Sequence, residues 1–153
     1  MIQQTQTTVR QIEYGSSDYA AACALRHAVL RAPLGLSLYD EDLTQESGQL
    51  HWGLFNESAC LIACAVVVPL DNGLAKLRQM AVAEAYQEQG AGRALIQAIE
   101  CCLAANGVQA VVMNARVTAV PFYRKLGYRV TSEAFTEVSI PHVRMEKSIL
   151  PQQ

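Results

Sequence analysis

The sequence predicts an α/β protein, because predicted strands and helices follow one another along the chain. The clearest pair is a strand over Leu74–Val82 and a helix that ends near Asn106 and Gly107, residue types that favour the left-handed turn after a helix. Of the 153 residues, 51% are hydrophobic and 17% are charged, which favours a packed core over disorder. The length suits a single domain over residues 1–153.

Hydrophobic patterns with the periods of strands and helices define the other elements. Asp18 is the expected N-cap of the first helix, which runs to about Arg31 and is ended by Pro33 and Gly35. The remaining predicted elements are strands over 7–13, 50–56, 59–70, 109–115, 129–131 and 142–148, a short helix over 118–126, and long loops over 33–48 and 132–141.

Charge and hydropathy exclude several classes of protein. The formal net charge is −2 and no cluster of Lys or Arg stands out, so a nucleic-acid partner is not expected. The longest apolar run, 59–70, is too short to span a bilayer. The first ten residues are polar and lack the apolar core of a signal peptide. We therefore expect a cytoplasmic protein without a membrane or nucleic-acid partner.

The five cysteines, at positions 23, 60, 64, 101 and 102, do not form a metal-binding pattern. None makes a Cys-x-x-Cys motif, and the three histidines have no metal-ligand spacing with them. We expect buried cysteines that act as small hydrophobic residues, in a reducing compartment and without a metal. Cys60 and Cys64 are predicted to share one face of a strand.

A glycine loop, 87–92, joins the Leu74–Val82 strand to the following helix. A helix N-terminus carries unpaired N–H groups and the positive end of the helix dipole. Gly90 and Gly92 leave room for a bulky anion to reach this backbone. No Lys-Ser or Lys-Thr follows the second glycine, and the G-x-G-x-x-G pattern is absent. The loop predicts a phosphate-binding site, and a tight helix entry without a ligand is the alternative.

Two motifs resemble those of the GNAT superfamily of N-acetyltransferases. Gln87, Gly90 and Gly92 match the Gln-x-x-Gly-x-Gly loop that holds the pyrophosphate of acyl-CoA, and FYRKLGY, 122–128, resembles the family's FY-x-K-x-G-F/Y turn. The segments LRHAVLRAPLG, LRQMAV and IPHVRM are further similar to an uncharacterised branch of small bacterial GNAT proteins. The likeness covers about 8–150. It implies the GNAT acyl-CoA N-acyltransferase fold, a twisted mixed sheet with helices on both faces and splayed fourth and fifth strands.

The resemblance also implies acetyl-CoA (coenzyme A) as the cofactor, inserted between those two strands. Tyr123 matches the tyrosine that protonates the departing CoA thiolate, a sensible role because a phenol keeps its proton at neutral pH. A core aromatic is the alternative. The N–H of Val82 would polarise the thioester carbonyl. The cofactor-binding residues implied are Met80, Ala81, Val82, Gln87, Glu88, Gln89, Gly90, Ala91, Gly92, Arg93, Asn114 and Tyr123.

The acceptor amine must lose a proton before it attacks, because an alkylamine is almost wholly protonated at pH 7. Candidate bases are Glu84, Glu133, Glu137 and His142, or water. Glu84 is included among the catalytic residues because it directly follows the fourth strand, and a surface charge is the alternative.

An acceptor pocket is expected around the first helix and the loops 34–38 and 135–142. Its predicted substrate-binding residues are Arg26, Arg31, Glu137 and His142. Two arginines would suit an acceptor that bears a carboxylate or phosphate. A solvated helix face is the alternative for both arginines.

The leading functional prediction is therefore an acetyl-CoA-dependent N-acetyltransferase that acetylates a primary amine of a small molecule by direct attack. Transfer to a protein or peptide amine and a non-catalytic acyl-CoA-binding regulatory domain remain as alternatives. A small-molecule amine is the expected partner, and a homodimer is left open.

Overall fold

The structure, a computed structural model, describes residues 6–150 of the chain. Its strands and helices follow in the order expected from the hydrophobic patterns, with short 3₁₀ turns in the connections. The strands are β1 Thr8–Ile12, β2 Leu50–Phe55, β3 Leu61–Pro69, β4 Leu74–Val82, β5 Ala110–Arg116, β6 Arg129–Val130, β7 Phe135–Glu137 and β8 Ile140–Ser148. The α-helices are α1 Ser17–Arg26, α2 Ala91–Ala105 and α3 Val120–Lys125.

The chain divides into two compact units. The first unit contains the residues up to Val67 together with Gln79–Ile99, and the second contains Val68–Arg78 and the residues from Glu100 onward. In the first unit, β2 pairs antiparallel with β1 on one side and with β3 on the other. In the second, β5 pairs parallel with β4 and antiparallel with β8, and β8 also pairs with β6 and β7. Parallel and antiparallel pairs together make a mixed sheet.

The core of the first unit lies between α1 and the strands. Its buried members pack with the partly buried side chains of α1 and the π-helix His27–Arg31. A Cβ atom on Gly53 would lie 2.7–2.8 Å from the side chains of Leu61, Ile12 and Phe55, so the core needs a glycine there. The buried cluster consists of Ile12, Ala22, Phe55, Cys64 and Ala81.

The parallel pairing between β4 and β5 is short. It runs from Leu74 opposite Ala110 to Leu77 opposite Met113. Strand β5 continues to Arg116 against β8, and Val111, Val112 and Met113 are buried as the sequence predicted. The splay of the fourth and fifth strands beyond this pairing stays a prediction.

Two expectations about the elements are wrong, and the helix expected to run to Arg31 changes type on the way. The N-cap of α1 is Ser16, whose hydroxyl accepts a hydrogen bond from the N–H of Tyr19 at 3.1 Å. Asp18 lies in the first turn and pairs with Arg10 at 2.9 Å. The α-helix ends at Arg26, and the chain continues as a π-helix. Strand β7 lies within the segment predicted as a loop. It could not be predicted, because a three-residue strand is too short to show the alternation of apolar and polar residues.

The prediction that the cysteines are buried holds for only two of them. Cys23 and Cys64 are buried, Cys60 and Cys101 are exposed and Cys102 is partly exposed. Cys60 lies in a turn before β3, so it does not share a strand face with Cys64. Burial raises the pKa of the Cys64 thiol to about 12, and such a thiol remains protonated and inert at neutral pH.

The turn between β7 and β8 is strained. Glu137 and Ile140 pair across it, and the two residues between them, Val138 and Ser139, have φ values of 44° and 69°. Two positive φ values in a two-residue hairpin define a type I′ turn, which strongly prefers Asn and Gly. Non-glycine residues in this region cost roughly 1–3 kcal/mol each. The tight turn therefore persists because the surrounding pairing holds it.

Replacing Ser139 with glycine should stabilise the protein. Ser139 is exposed, so Ser139→Gly relieves the backbone strain and loses little contact. We expect a gain of about 0.5–1 kcal/mol after the entropy cost of glycine, which is a rise of roughly 2 °C in Tm for a chain of this size. Ser58→Gly is the matched control, because Ser58 is exposed and its φ is not positive. A lower Tm for both variants in thermal denaturation would contradict the strain argument.

Candidate functional site

The glycine loop lies between a 3₁₀ turn, Glu84–Tyr86, and the start of α2. Glu88 and Gly90 have φ values of 63° and 85°, which turn the exposed chain into the helix. A Cβ on Gly90 would meet nothing within 4 Å, so glycine is required there by conformation and not by crowding. The space beside Gly90 is open to a ligand.

Side-chain hydrogen bonds tie this loop to the residues before it. The amide of Gln87 donates to the carbonyl of Val82 at 3.0 Å, and the amide of Gln89 donates to the carbonyl of Ala85 at 2.9 Å. The 15-residue helix that begins at Ala91 leaves its first N–H groups without helical acceptors. These donors and the helix dipole make the loop suitable for a phosphate group.

Strand β4 contains a backbone irregularity immediately before the residues expected to contact pantetheine. Gln79 has a φ of 56°, a conformation that is rare for a residue inside a strand and typical of a bulge. Its side-chain oxygen accepts a hydrogen bond from Nε of Arg26 at 3.1 Å. A residue of α1 thus contacts the irregular position of β4 directly.

Arg26 belongs to a buried ion pair with Glu46. Nη1 and Nη2 donate to the two carboxylate oxygens at 2.8 and 2.6 Å, and the side chains are only 1% and 3% exposed. The hydroxyl of Tyr19 donates to the same carboxylate at 2.7 Å, and Nε2 of His51 donates to the Glu46 carbonyl at 2.8 Å. Burial alone would lower the pKa of Arg26, but the hydrogen bonds and charge of Glu46 outweigh it and raise that pKa. The guanidinium therefore keeps its positive charge.

Both arginines of the expected acceptor pocket are engaged in ion pairs. Nε, Nη1 and Nη2 of Arg26 are bound as described, and Nε of Arg31 donates to Glu41 at 2.6 Å. Nη1 of Arg31 also donates to the carbonyl of Leu30 at 3.1 Å. Both side chains are buried, so the alternative of a solvated face is wrong. Their predicted role in acceptor binding stays a prediction.

Glu46→Ala should destabilise the protein strongly, because it leaves the Arg26 guanidinium buried and uncompensated. We expect a loss of about 3–5 kcal/mol in chemical denaturation. Asp18→Ala is the matched control: it breaks the ion pair with Arg10, whose two side chains are 45% and 36% exposed, so about 1 kcal/mol or less is expected. Equal losses of unfolding free energy in the two variants would show that the buried ion pair contributes no more to stability than the control pair.

Tyr123, the candidate acid, is buried in the second unit. Its ring lies in edge contact with Phe122 and Tyr128, with centroids 5.0 and 5.9 Å apart. Burial raises the pKa of its phenol, so Tyr123 carries a proton at every pH at which the protein would work. Tyr128 differs because its hydroxyl donates to Glu100 at 2.7 Å.

Three of the predicted site residues lie together in the second unit. Nδ2 of Asn114 donates to Oε1 of Glu137 at 3.1 Å, and Oε2 of Glu137 lies 3.7 Å from Nε2 of His142. Nδ1 of His142 lies 2.9 Å from the carbonyl oxygen of Ile140. The Glu137 side chain is 47% exposed, whereas that of His142 is 4% exposed.

The other two candidate bases are both exposed. Glu84 is exposed and opens the 3₁₀ turn after β4 in the first unit, and Glu133 is exposed between β6 and β7. Sequence reasoning missed Glu46, Gln79 and Tyr19, because no local pattern reveals contacts across 20 to 53 residues. Within 6–150, no group of three or more His, Cys, Asp or Glu side chains could hold a metal ion. The helices in that range are too short or too polar to cross a membrane.

Comparison with known proteins decides the family. Residues 37–149 match the model of the acetyltransferase (GNAT) domain. The chain belongs to the GNAT acetyltransferase family. Family membership makes it an N-acetyltransferase whose cofactor is acetyl-CoA, as the two motifs predicted, and confirms the mixed GNAT fold.

Two curated relatives come from Bacillus subtilis. The uncharacterized N-acetyltransferase YitI is 36% identical over 134 residues, which is 82% of this chain and 88% of YitI. The uncharacterized N-acetyltransferase YjcF is 38% identical over 79 residues, 51% of this chain and 56% of YjcF. The match therefore spans about half the length of YjcF but most of YitI.

Solved structures show the same GNAT fold. A Lactobacillus plantarum protein assigned as an N-acetyltransferase is 26% identical, with a TM-score of 0.85 over 94% of this chain and 99% of its own. An aminoglycoside 6'-N-acetyltransferase in complex with coenzyme A is 13% identical, with a TM-score of 0.78 over 95% of this chain and 99% of its own. At that identity the second comparison is evidence for the fold alone.

Proposed function

We propose that this GNAT protein transfers the acetyl group of acetyl-CoA to a primary amine of a small molecule by direct attack of the amine on the thioester. The observation that carries the proposal is the glycine loop before α2, where Gly90 has a φ of 85° and open space beside it. The pyrophosphate of the cofactor would bind the N–H groups of 87–92. Arg93, which is exposed in the first turn of α2, would add a positive charge.

The remaining cofactor roles follow the family pattern. Met80, Ala81 and Val82 would offer backbone hydrogen bonds to pantetheine, and Asn114 would contact it from β5. The N–H of Val82 would donate to the thioester oxygen as negative charge develops there. The irregular φ of Gln79 and its bond to Arg26 support this assignment, because they fix the backbone one residue before Met80.

Tyr123 would protonate the CoA thiolate as it leaves. Its buried phenol holds its proton, since burial raises the pKa. The sulfur becomes a proton acceptor only as the C–S bond breaks, so the proton transfer accompanies departure of the thiolate. Glu84 is the weaker catalytic candidate. It is exposed at the start of the 3₁₀ turn that precedes the glycine loop, where it would serve equally well as a surface charge.

The small-molecule acceptor is supported by the compact group of Asn114, Glu137 and His142, which offers a single exposed carboxylate. The deciding experiment is a panel of spermidine, lysine, glucosamine and a peptide with a free N-terminus, in which release of CoA thiol is followed. Turnover of the peptide alone would indicate a protein acceptor. Acetyl-CoA binding without thiol release from any amine would indicate a non-catalytic domain.

Gly90→Glu should abolish or strongly weaken acetyl-CoA binding. The new side chain carries negative charge to the place proposed for pyrophosphate, and each tenfold loss of affinity corresponds to about 1.4 kcal/mol. Gly15→Glu is the matched control, because Gly15 has a φ of 80° and nothing within 4 Å of an added Cβ. Gly15→Glu introduces the same backbone strain and the same negative charge, but outside the glycine loop. Equal affinities for the two variants in calorimetry would reject the loop as the cofactor site.

Tyr123→Phe should lower turnover by about 10²-fold, because it removes a general acid and leaves the ring. Cofactor affinity should be unchanged. Tyr128→Phe is the control, since it removes a hydroxyl from the neighbouring ring. That hydroxyl bonds to Glu100, so Tyr128→Phe should lower stability by about 1.5–3 kcal/mol and leave turnover intact. Unchanged single-turnover rates for Tyr123→Phe would make it a core aromatic.

A further inference from the structure

We propose that Glu137 and His142 bind the acceptor as a primary alkylammonium ion, and that Nε2 of His142 is the base that removes its proton. The inference rests on the proposed N-acetyltransferase function, and it replaces an anionic acceptor by a cationic one. All the residues that carry it belong to β5, β7 and β8 of the second unit.

The tautomer of His142 is set by its backbone neighbour. Nδ1 lies 2.9 Å from the carbonyl oxygen of Ile140. A carbonyl oxygen only accepts hydrogen bonds, so Nδ1 carries the proton. In the neutral ring, Nε2 therefore holds the lone pair. This nitrogen is the one that faces Glu137.

The gap between the Glu137 carboxylate and the His142 imidazole fits a hydrogen-bond donor that a bound ligand supplies. Oε2 and Nε2 are 3.7 Å apart, which is too long for a direct hydrogen bond. With a carboxylate on one side and a lone pair on the other, both atoms are acceptors. A nitrogen placed about 2.8 Å from each would donate one hydrogen to each of them. A primary ammonium group has the charge and the number of hydrogens that this position requires.

Three features hold the carboxylate and the imidazole in place. Asn114 donates to Oε1 at 3.1 Å, which leaves Oε2 directed at His142. The strained turn at Val138 and Ser139 fixes the end of β7, and the ring of Phe135 stacks on His142 with a centroid distance of 6.2 Å. Backbone strain of this kind is retained where the surrounding structure over-determines a functional arrangement. Asn114 is the first residue of β5 beyond the parallel pairing with β4.

The proton balance is complete without another reactant. The ammonium group gives one proton to Nε2, and the imidazolium that forms is stabilised by the Glu137 carboxylate. The neutral amine forms the C–N bond, the C–S bond breaks, and nitrogen loses a second proton as the tetrahedral intermediate collapses. Tyr123 gives its proton to the CoA thiolate and takes up one of the two protons from nitrogen, and the other passes from Nε2 along the half-exposed Glu137 to solvent.

The first test does not depend on turnover. Nitrogen NMR of ¹⁵N-histidine-labelled protein, assigned with His142→Gln, should show the Nδ1–H tautomer for His142. Titration with n-butylamine hydrochloride at neutral pH should shift its Nε2 resonance in the wild type and not in Glu137→Gln. An Nε2–H tautomer, or no shift with the amine, would overturn the proposal even if the enzyme is active.

The kinetic test uses the best amine of the acceptor panel. Glu137→Gln should raise the acceptor KM at least about tenfold, the loss expected for one charge-assisted hydrogen bond. His142→Gln should lower kcat/KM by about 10²-fold, and the defect should shrink with an acceptor that is already neutral, such as trifluoroethylamine. Acetyl-CoA affinity should stay unchanged in both variants.

Asp71→Asn is the matched control, since Asp71 is an exposed carboxylate of the second unit, in the turn before β4. A kinetic defect in Asp71→Asn as large as that in Glu137→Gln would show that the effect comes from surface charge alone. If Glu137→Gln and His142→Gln acetylate normally, the site is wrong and the N-acetyltransferase function stands. If the wild type acetylates no amine while the NMR shift is present, transfer fails and the ammonium site stands.

Discussion

The buried ion pair between Arg26 and Glu46 is the interaction on which the candidate cofactor backbone depends. Its guanidinium uses two nitrogens to hold the carboxylate and the third to bind the side chain of Gln79. The φ of 56° at Gln79 is a conformation that a strand residue adopts only under constraint. Met80 follows at once, so the conformation of the proposed pantetheine-binding backbone depends on groups that do not contact the ligand.

An ion pair of this kind is a source of specificity more than of net stability. Taking two charges out of water costs about as much as their attraction returns, so apolar side chains in the same space would serve the core equally well. Apolar side chains, however, would supply no hydrogen-bond donor for the side-chain oxygen of Gln79. Tyr19 and His51 satisfy the remaining acceptors of Glu46, and a fully satisfied network of this kind favours one arrangement of the strand.

The sequence predicted what depends on neighbours along the chain and missed what depends on partners far away. The strand Leu74–Val82, the glycine loop and α2 follow from periodicity and turn residues, and the structure has them where they were expected. The burial of Arg26 could not be predicted, because its partner Glu46 lies 20 residues later in a stretch without a pattern. Strand β7 was missed for a related reason: its turn uses Val138 and Ser139, which no turn preference would select.

The two proton-handling groups of the second unit differ in what fixes their protonation. Tyr123 is buried in edge contact with the buried Tyr128 and the exposed Phe122, and desolvation raises its pKa, so it keeps its proton until a proton acceptor forms beside it. His142 is equally buried, but a carbonyl holds its Nδ1 proton and a carboxylate faces its lone pair. An apolar environment thus suits the general acid, and a polar environment suits the general base. Acetyl transfer to an amine that binds in its protonated form needs both groups. The proposed specificity for a cationic amine then comes from Glu137, because its carboxylate attracts the positive charge of the protonated acceptor, which also has a proton to give to the imidazole.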